Sequence, residues 1–278
     1  MIGYKRSKRQ QTEAKYSKRH QKCNIRLFSP VSYFFLLFLT ELGASLFFES
    51  GLLAEPNPLT IFAVSDTTTT LPDDWIQVIP GKQKAYTNYI ISKTGRETYL
   101  NIQSGGTGSW IEKDLGSIDV HSTPIMEWSW RVIRFPELEW EAEHAQDDFA
   151  IRIELIYDFR GSAFNILNII RKGLITTVLR RNPPVLTISY VWAHKVPAGK
   201  PYISPSDKKT IVIPIESGTS IRGVWIDERR NILEDLRRYY KEKNIVLKKI
   251  RIRSDTDDSL SNAESGLKRI ELRTAKDR

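Results

Sequence analysis

Two stretches in which apolar and polar residues alternate limit what this chain can fold into. They are PIMEWSWRV (residues 124–132) and DDFAIRIELIY (residues 147–157). In a β-strand, successive side chains point to opposite faces of the sheet. In the second stretch this period places Arg152 and Glu154 on one face. The opposite, apolar face is formed by Phe149, Ile151, Ile153, Leu155 and Tyr157. We therefore expect two strands, each with one face in a core and one polar face.

Further short β-rich runs follow, separated by glycine, proline and polar turns. Runs of this length and spacing, with few helical patterns between them, predict a mainly β chain folded as an antiparallel sandwich. The additional runs are 86–92, 98–103, 186–194, 210–216, 246–254 and 267–273.

Two segments have helical rather than alternating spacing. Residues 163–181 carry an apolar stripe with basic residues between, and residues 225–241 carry one that includes Ile232 and Leu236. The first is expected to be a helical insertion that either covers an open end of the sandwich or lies on a membrane surface. The second is expected to pack on the sheet. The charges around Asp235 would then anchor this helix.

The N-terminal part predicts export. Residues 1–26 form a basic tail, and residues 27–54 contain an apolar run interrupted by Glu41. A positive flank before an apolar run is what an export signal requires. We expect residues 27–54 to be a signal peptide or a signal-anchor that contacts the membrane. Residues 55–70, rich in Thr and Pro, are expected to be a linker, and residues 71–278 the sandwich domain.

The charge distribution argues against a nucleic-acid partner. The formal net charge is +9, but residues 1–26 hold nine of the 42 Lys and Arg and only one of the 33 acids. The rest of the chain is almost neutral, so it lacks the basic surface that a polyanion requires. Cys23, the single cysteine, precedes the apolar run. The exported part would therefore have no disulfide, thiol nucleophile or zinc-thiolate site.

Six motifs follow one another in a characteristic order. They are LPDDW (71–75), WSWRV (128–132), DDFAIRIELIYDF (147–159), SYVWA (189–193), the SG…W.DERRN.LED pattern (217–235) and SDTDDS (254–259). In this order they resemble the bacterial exported domain-of-unknown-function family 3047. The resemblance extends from about Leu71 to Leu272, and it implies a periplasmic or inner-membrane-anchored protein with a jelly-roll, galactose-binding-like sandwich related to carbohydrate-binding modules. Here SDTDDSLSNAES departs from the family pattern, which has Asp-Asn after the second Asp.

A polar surface on the sheet is the first candidate binding site. Carboxylates and arginines can hydrogen-bond vicinal sugar hydroxyls while a tryptophan stacks on the ring. Such a surface would bind a glycan or another envelope component. The alternative is cross-strand ion pairing on a solvated face. The candidate ligand-binding residues are Asp147, Asp148, Arg152, Glu154, Glu127, Arg131 and Trp192. Trp110 and Trp140 are further stacking candidates.

A second candidate is a cation site in the loop after the strand 246–254. Asp255, Asp257 and Asp258 could supply oxygen ligands to Ca²⁺. A turn in which aspartates cap their own backbone explains the same residues, because the glycine and distal glutamate of a calcium loop are missing. No other cofactor is expected.

Signatures of enzymes are scarce in the sequence. The chain has no GxSxG, P-loop, GxGxxG or HExxH motif. The best catalytic hypothesis is a glycoside hydrolase that uses a carboxylate pair, for example Glu127 and Glu154. A structural or assembly protein of the envelope is a third possibility. A non-catalytic binding module is the interpretation that the sequence favours.

Overall fold

The computed structural model describes residues 57–81, 86–137, 147–159, 186–240 and 244–275. The basic tail, the apolar export segment, the helix expected at 163–181 and Trp140 lie outside these ranges. Within them, no helix is long and apolar enough to span a bilayer.

The described part of the chain is mainly β, with thirteen strands and one α-helix. The strands are β1 (Leu59–Ala63), β2 (Ile76–Val78), β3 (Asn88–Thr94), β4 (Glu97–Gly105), β5 (Trp110–Ile118), β6 (Ile125–Arg134), β7 (Phe149–Phe159), β8 (Leu186–Ala193), β9 (Tyr202–Ile203), β10 (Thr210–Ser217), β11 (Ile226–Asn231), β12 (Ile245–Asp255) and β13 (Asn262–Arg273). The helix is α1 (Ile232–Tyr239).

The strands form two sheets. Sheet A has the order β11-β6-β13-β4-β3, with β1 paired to β13, and sheet B has the order β2-β5-β12-β7-β8-β10-β9. Strands β4, β5 and β6 alternate between the two sheets, as do β12 and β13. All described pairings are antiparallel except that of β8 with β10. The predicted antiparallel jelly-roll sandwich is therefore confirmed.

The core lies between the two sheets and is rich in aromatic rings. Trp128 and Trp130 of β6 are fully buried, as are Tyr190 and Trp192 of β8. Trp128 stacks on Tyr190 with ring centroids 5.6 Å apart, and Trp130 lies 5.9 Å from Trp192. These contacts join sheet A to sheet B, because β6 and β8 belong to different sheets.

The start of β7 departs from simple alternation. The sequence pattern placed Phe149 on the core face, but it packs in a small cluster with Val191, Ala193 and Val212, separate from the main core. The register between β12 and β7 shifts in this region, between Arg253 and Asp255. A shift of this kind lets a side chain change face without leaving the strand.

The segment expected to be one helix divides into a strand and a short helix. Residues 226–231 form β11, which pairs with β6, and only Ile232–Tyr239 is helical. The side chain of Asn231 caps the helix by accepting a hydrogen bond from the backbone N–H of Glu234 at 3.0 Å. Asp235 accepts hydrogen bonds from Arg230 and Tyr190, so it anchors α1 to sheet B as predicted.

The sandwich begins earlier than the sequence suggested. Residues 59–63, within the expected linker, form β1 and pair with the end of β13. Ile61 and Phe62 are buried, and Phe62 packs edge-on against Trp75 at 5.5 Å. The domain boundary expected at Leu71 is therefore corrected to a position before β1.

Candidate functional site

Arg152 does not lie on an open polar surface. It projects from the outer face of sheet B but is only 2% exposed. Its guanidinium donates to the carboxylate of Asp147 at 3.2 Å and to that of Asp255 at 2.5 Å. It also donates to the backbone carbonyl of Asp147 at 2.8 Å. A buried arginine needs such partners, because an unpaired buried charge is very costly.

Ion pairs extend from Arg152 across sheet B. Glu154 lies 3.8 Å from Arg152 and 3.9 Å from Arg251. On β5, Glu112 accepts hydrogen bonds of 2.8 Å from both Lys249 and Arg251. This part of the face fits the alternative interpretation, cross-strand ion pairing, and Glu154 is buried within it.

Two of the predicted site residues lie elsewhere. Glu127 and Arg131 belong to β6 in sheet A, whereas Arg152 and Glu154 belong to β7 in sheet B. The prediction that these four residues share one surface is wrong. Alternation identified the polar face of each strand correctly, but it carries no information about which sheet a strand joins.

The position of Glu127 also removes the predicted catalytic pair. Glu127 forms ion pairs with Arg229 and Arg273 on sheet A, and Glu154 lies in the network of sheet B. Two carboxylates that flank one glycosidic bond must face a common cleft. Glu127 and Glu154 do not, so they cannot act together.

Trp192 is not a stacking platform. It is fully buried in the core, and its indole N–H donates to the carbonyl of Gly218 at 3.3 Å. Trp110, by contrast, lies at a strand end, as the sequence indicated. It is half-buried at the start of β5, and its indole N–H donates to Glu112 at 3.1 Å. The guanidinium carbons of Arg251 and Arg253 lie 4.9 and 5.6 Å from its ring centroid.

An open pocket of about 680 Å³ lies at the end of sheet B where β7 begins and β12 ends. Trp110 and Arg253 line one part of the pocket. Ser206 and Asp147 line another part, where the Ser206 hydroxyl donates a hydrogen bond to the carboxylate of Asp147. The loop after β12 contributes exposed carboxylates. The lining residues are Pro80, Gly81, Trp110, Asp147, Ser206, Arg253, Asp255, Asp257 and Asp258.

Asp255 connects the buried ion pairs to this pocket. Its Oδ2 atom accepts from Arg152 and also pairs with Arg253, whereas its Oδ1 atom has no hydrogen-bond partner among the described residues. Burial raises the pKa of Asp255 to about 6, although Arg152 and Arg253 lower it and the neighbouring Asp257 raises it. The carboxyl therefore keeps a raised pKa despite two arginine partners.

Asp148 points toward the same loop rather than toward Arg152. Its Oδ2 atom accepts a hydrogen bond of 2.7 Å from the backbone N–H of Ser259, and Oδ1 has no partner in the described ranges. Burial raises the pKa of Asp148, although hydrogen bonds from Ser259 lower it. Oxygens of Asp148, Asp255 and Asp257 all lie within 4.8 Å of one another. Two of the three aspartates predicted to bind a cation, Asp255 and Asp257, thus converge with Asp148.

The sequence interpretation missed the contribution of the loop between β4 and β5. This loop, SGGTGSW (104–110), is rich in glycine, yet Thr107 and Ser109 are buried and hydrogen-bonded. Thr107 accepts a backbone hydrogen bond of 2.9 Å from Thr256, which holds the loop against the aspartates. Gly108 lies between Thr107 and Ser109 in this loop. The glycines were visible in the sequence, but their partner loop is almost 150 residues away along the chain.

Comparison with known proteins gives a family. No curated protein matches this chain. Among solved structures it is similar to the xyloglucanase domain of NopAA, a type three effector from Sinorhizobium fredii, in complex with cellobiose. The TM-score is 0.36 and the identity 9%, over 78% of this chain and 100% of that chain. A family model described as "Protein of unknown function (DUF3047)" matches residues 73–271. The chain therefore belongs to the DUF3047 family, as its motifs predicted.

Proposed function

We propose that this protein is a non-catalytic binding module whose ligand is a glycan or another polyhydroxylated component of the cell envelope. The ligand would occupy the pocket at the end of sheet B rather than the buried surface around Arg152. The observation that carries the proposal is the juxtaposition of Trp110 and Arg253 with the exposed carboxylates of Asp257 and Asp258 around one open pocket.

The chemistry of these side chains suits a sugar. Carboxylates accept hydrogen bonds from vicinal hydroxyls, the guanidinium donates to ring and hydroxyl oxygens, and an indole packs against the apolar C–H groups of a pyranose. Glu112 holds Trp110 through its indole N–H. A ring restrained in this way loses little conformational entropy when a ligand binds.

The proposal is tested by titrating purified full-length protein with envelope glycans that a glycan array has identified. We expect Trp110→Ala to weaken binding of the best glycan about tenfold or more, since central aromatic residues dominate such interfaces. Trp225→Ala is the matched control. Trp225 is also half-buried beside arginine and glutamate, but it lies next to sheet A. Equal effects of both substitutions, or no binding of any envelope glycan, would contradict the proposal.

The same mixtures test the non-catalytic part of the proposal. We expect the glycan to be recovered at its original length after prolonged incubation. A shortened glycan would show that the pocket is a hydrolase site.

We also propose that the chain is exported and remains in the periplasm or attached to the inner membrane by residues 27–54. The basic tail followed by an apolar run supports this location. Cell fractionation with N-terminal sequencing of the mature protein tests it. Recovery of the intact chain in the cytoplasmic fraction would overturn it.

A further inference from the structure

We propose that Asp148, Asp255 and Asp257 form a binding site for a hard divalent cation, with Ca²⁺ the best match. This site does not depend on the proposed glycan ligand. Three observations carry it: the convergence of the carboxylates, the unpartnered oxygens of the two buried ones, and the close approach of two carboxylates to Gly108.

The three carboxylates come from two separate segments and meet at one point. Asp148 lies immediately before β7, whereas Asp255 ends β12 and Asp257 follows it. One oxygen from each lies within 4.8 Å of the others. Ca²⁺ binds oxygens at about 2.3–2.6 Å, so two ligands on opposite sides are separated by roughly 5 Å. Oxygens within 4.8 Å of one another can therefore contact one ion together. Ca²⁺ accepts irregular sites made of protein oxygens, whereas Mg²⁺ demands near-ideal octahedral geometry and loses its waters reluctantly.

The two buried aspartates each have one oxygen held by the protein and one that is not. Asp148 and Asp255 are both 2% exposed. Ser259 holds Oδ2 of Asp148, and two arginines hold Oδ2 of Asp255. In both residues Oδ1 has no hydrogen-bond partner among the described residues. A buried carboxylate oxygen left without a partner is costly, and a cation coordinated by both would remove that cost.

Two of the three carboxylates lie close to the backbone of Gly108. A Cβ atom added to it would be 2.8 Å from Oδ1 of Asp255 and 3.0 Å from Oδ2 of Asp257. The unpartnered oxygen of Asp255 and an oxygen of Asp257 therefore lie side by side against Gly108, on the side where a side chain would project. The φ angle of Gly108 is not in the left-handed region, so its backbone does not require glycine. The absence of a side chain there instead leaves the carboxylates room to meet.

Local charge is consistent with a cation. Arg152 and Arg253 are the guanidiniums in contact with the acids, but Arg152 also pairs with Asp147 and Glu154. Asp147, Glu154 and Asp255 outnumber these two guanidiniums. The exposed carboxylate of Asp257 adds further negative charge. A divalent ion would reduce the repulsion that the arginines leave.

The test is isothermal titration of EDTA-treated full-length protein with CaCl₂ and, separately, MgCl₂, without any glycan. We expect one Ca²⁺ per chain, with weaker Mg²⁺ binding, and a rise in the melting temperature with Ca²⁺. Absence of Ca²⁺ binding, or a Ca²⁺ isotherm unaffected by the substitutions below, would overturn the inference. Since no glycan is present, its failure would leave the glycan proposal standing.

Three substitutions locate the site. Asp257→Asn removes an exposed ligand without disturbing the buried arginines, and we expect Ca²⁺ affinity to fall by about 10–100-fold or more. Gly108→Ala should lower it similarly, because the methyl group would displace the carboxylates of Asp255 and Asp257. Asp258→Asn, one residue along the same loop, is the matched control and should bind Ca²⁺ as the unmodified protein does. If Asp258→Asn instead abolishes binding and Asp257→Asn does not, the assignment is wrong.

Discussion

The outer faces of the two sheets carry clusters built from the same residue types, but the clusters differ in how far their charges are paired. On sheet A, Arg131 lies over the rings of Tyr99 and Trp225, at 4.4 and 4.5 Å. Glu97 accepts from Trp225 through one oxygen and from Lys268 through the other. On sheet B, Trp110 lies beside Arg253, but Oδ1 of Asp255 has no described partner.

The difference between these clusters shows what separates a structural cluster from a candidate site. Hydrogen bonds from Lys268 and Trp225 lower the pKa of Glu97, whereas burial raises that of Asp255. One carboxylate is satisfied by its neighbours, and the other is partly unsatisfied. The two clusters contain the same residue types, so residue type alone does not distinguish them. The cluster on sheet B differs because it has more carboxylates than cationic side chains and lies beside an open pocket.

The largest effect is expected at Arg152. Arg152→Ala would leave Asp147, Glu154 and Asp255 close together and buried without their shared cation, so we expect the free energy of unfolding to fall by about 3–5 kcal/mol. Denaturant-induced unfolding of the purified protein measures this change. A loss below about 1 kcal/mol would show that Arg152 does not hold this cluster together.

A smaller effect is expected at Glu112, which joins Trp110 to β12. Burial raises the pKa of Glu112, but hydrogen bonds from Lys249, Arg251 and Trp110 lower it further, to about 2, from an ordinary value of 4.5. The charged form is therefore favoured in the folded state. Its contribution is fully present above about pH 4.5 and is lost as the pH falls toward 2.

Glu112→Gln should accordingly cost about 1–3 kcal/mol at neutral pH. The difference from the unmodified protein should shrink as the pH falls below 4.5. Unfolding curves at several pH values measure it. A difference that stays constant between pH 7 and pH 3 would contradict the assignment of that stability to the ionised carboxylate.

The smallest effect is expected on sheet A. Arg131→Ala removes two contacts with aromatic rings, each contributing about 0.5–1 kcal/mol, so we expect a loss of about 1–2 kcal/mol. Ca²⁺ and glycan titrations should be unchanged. An effect on either titration would mean that the two faces are coupled. The cluster on sheet A would then contribute to binding and would not be purely structural.

Local pattern predicted the strands well, because each strand has one buried face. It also predicted that Ile232 and Leu236 would be buried in a helix, and both are. The DERRN segment (227–231) before that helix was expected to be part of it. It instead belongs to β11, because the backbone of this segment pairs with β6. Pairing with a distant strand overrode local preference.

The site depended on information that no local pattern holds. Glu127 and Glu154 were assigned to one face because strand order in space cannot be read from alternation. Asp255 and Asp257 were recognised because only one residue separates them in the sequence. Asp148 and Gly108, which complete the cluster, come from segments that only the fold brings together.

Hydrogen–deuterium exchange of the full-length protein with and without Ca²⁺ tests the distinction between the two faces most directly. We expect Ca²⁺ to slow exchange in the loops that contain Gly108 and Asp257, and to leave the segments around Arg131 and Trp225 unchanged. No change at saturating Ca²⁺, or protection confined to sheet A, would contradict the placement of the site at the end of sheet B.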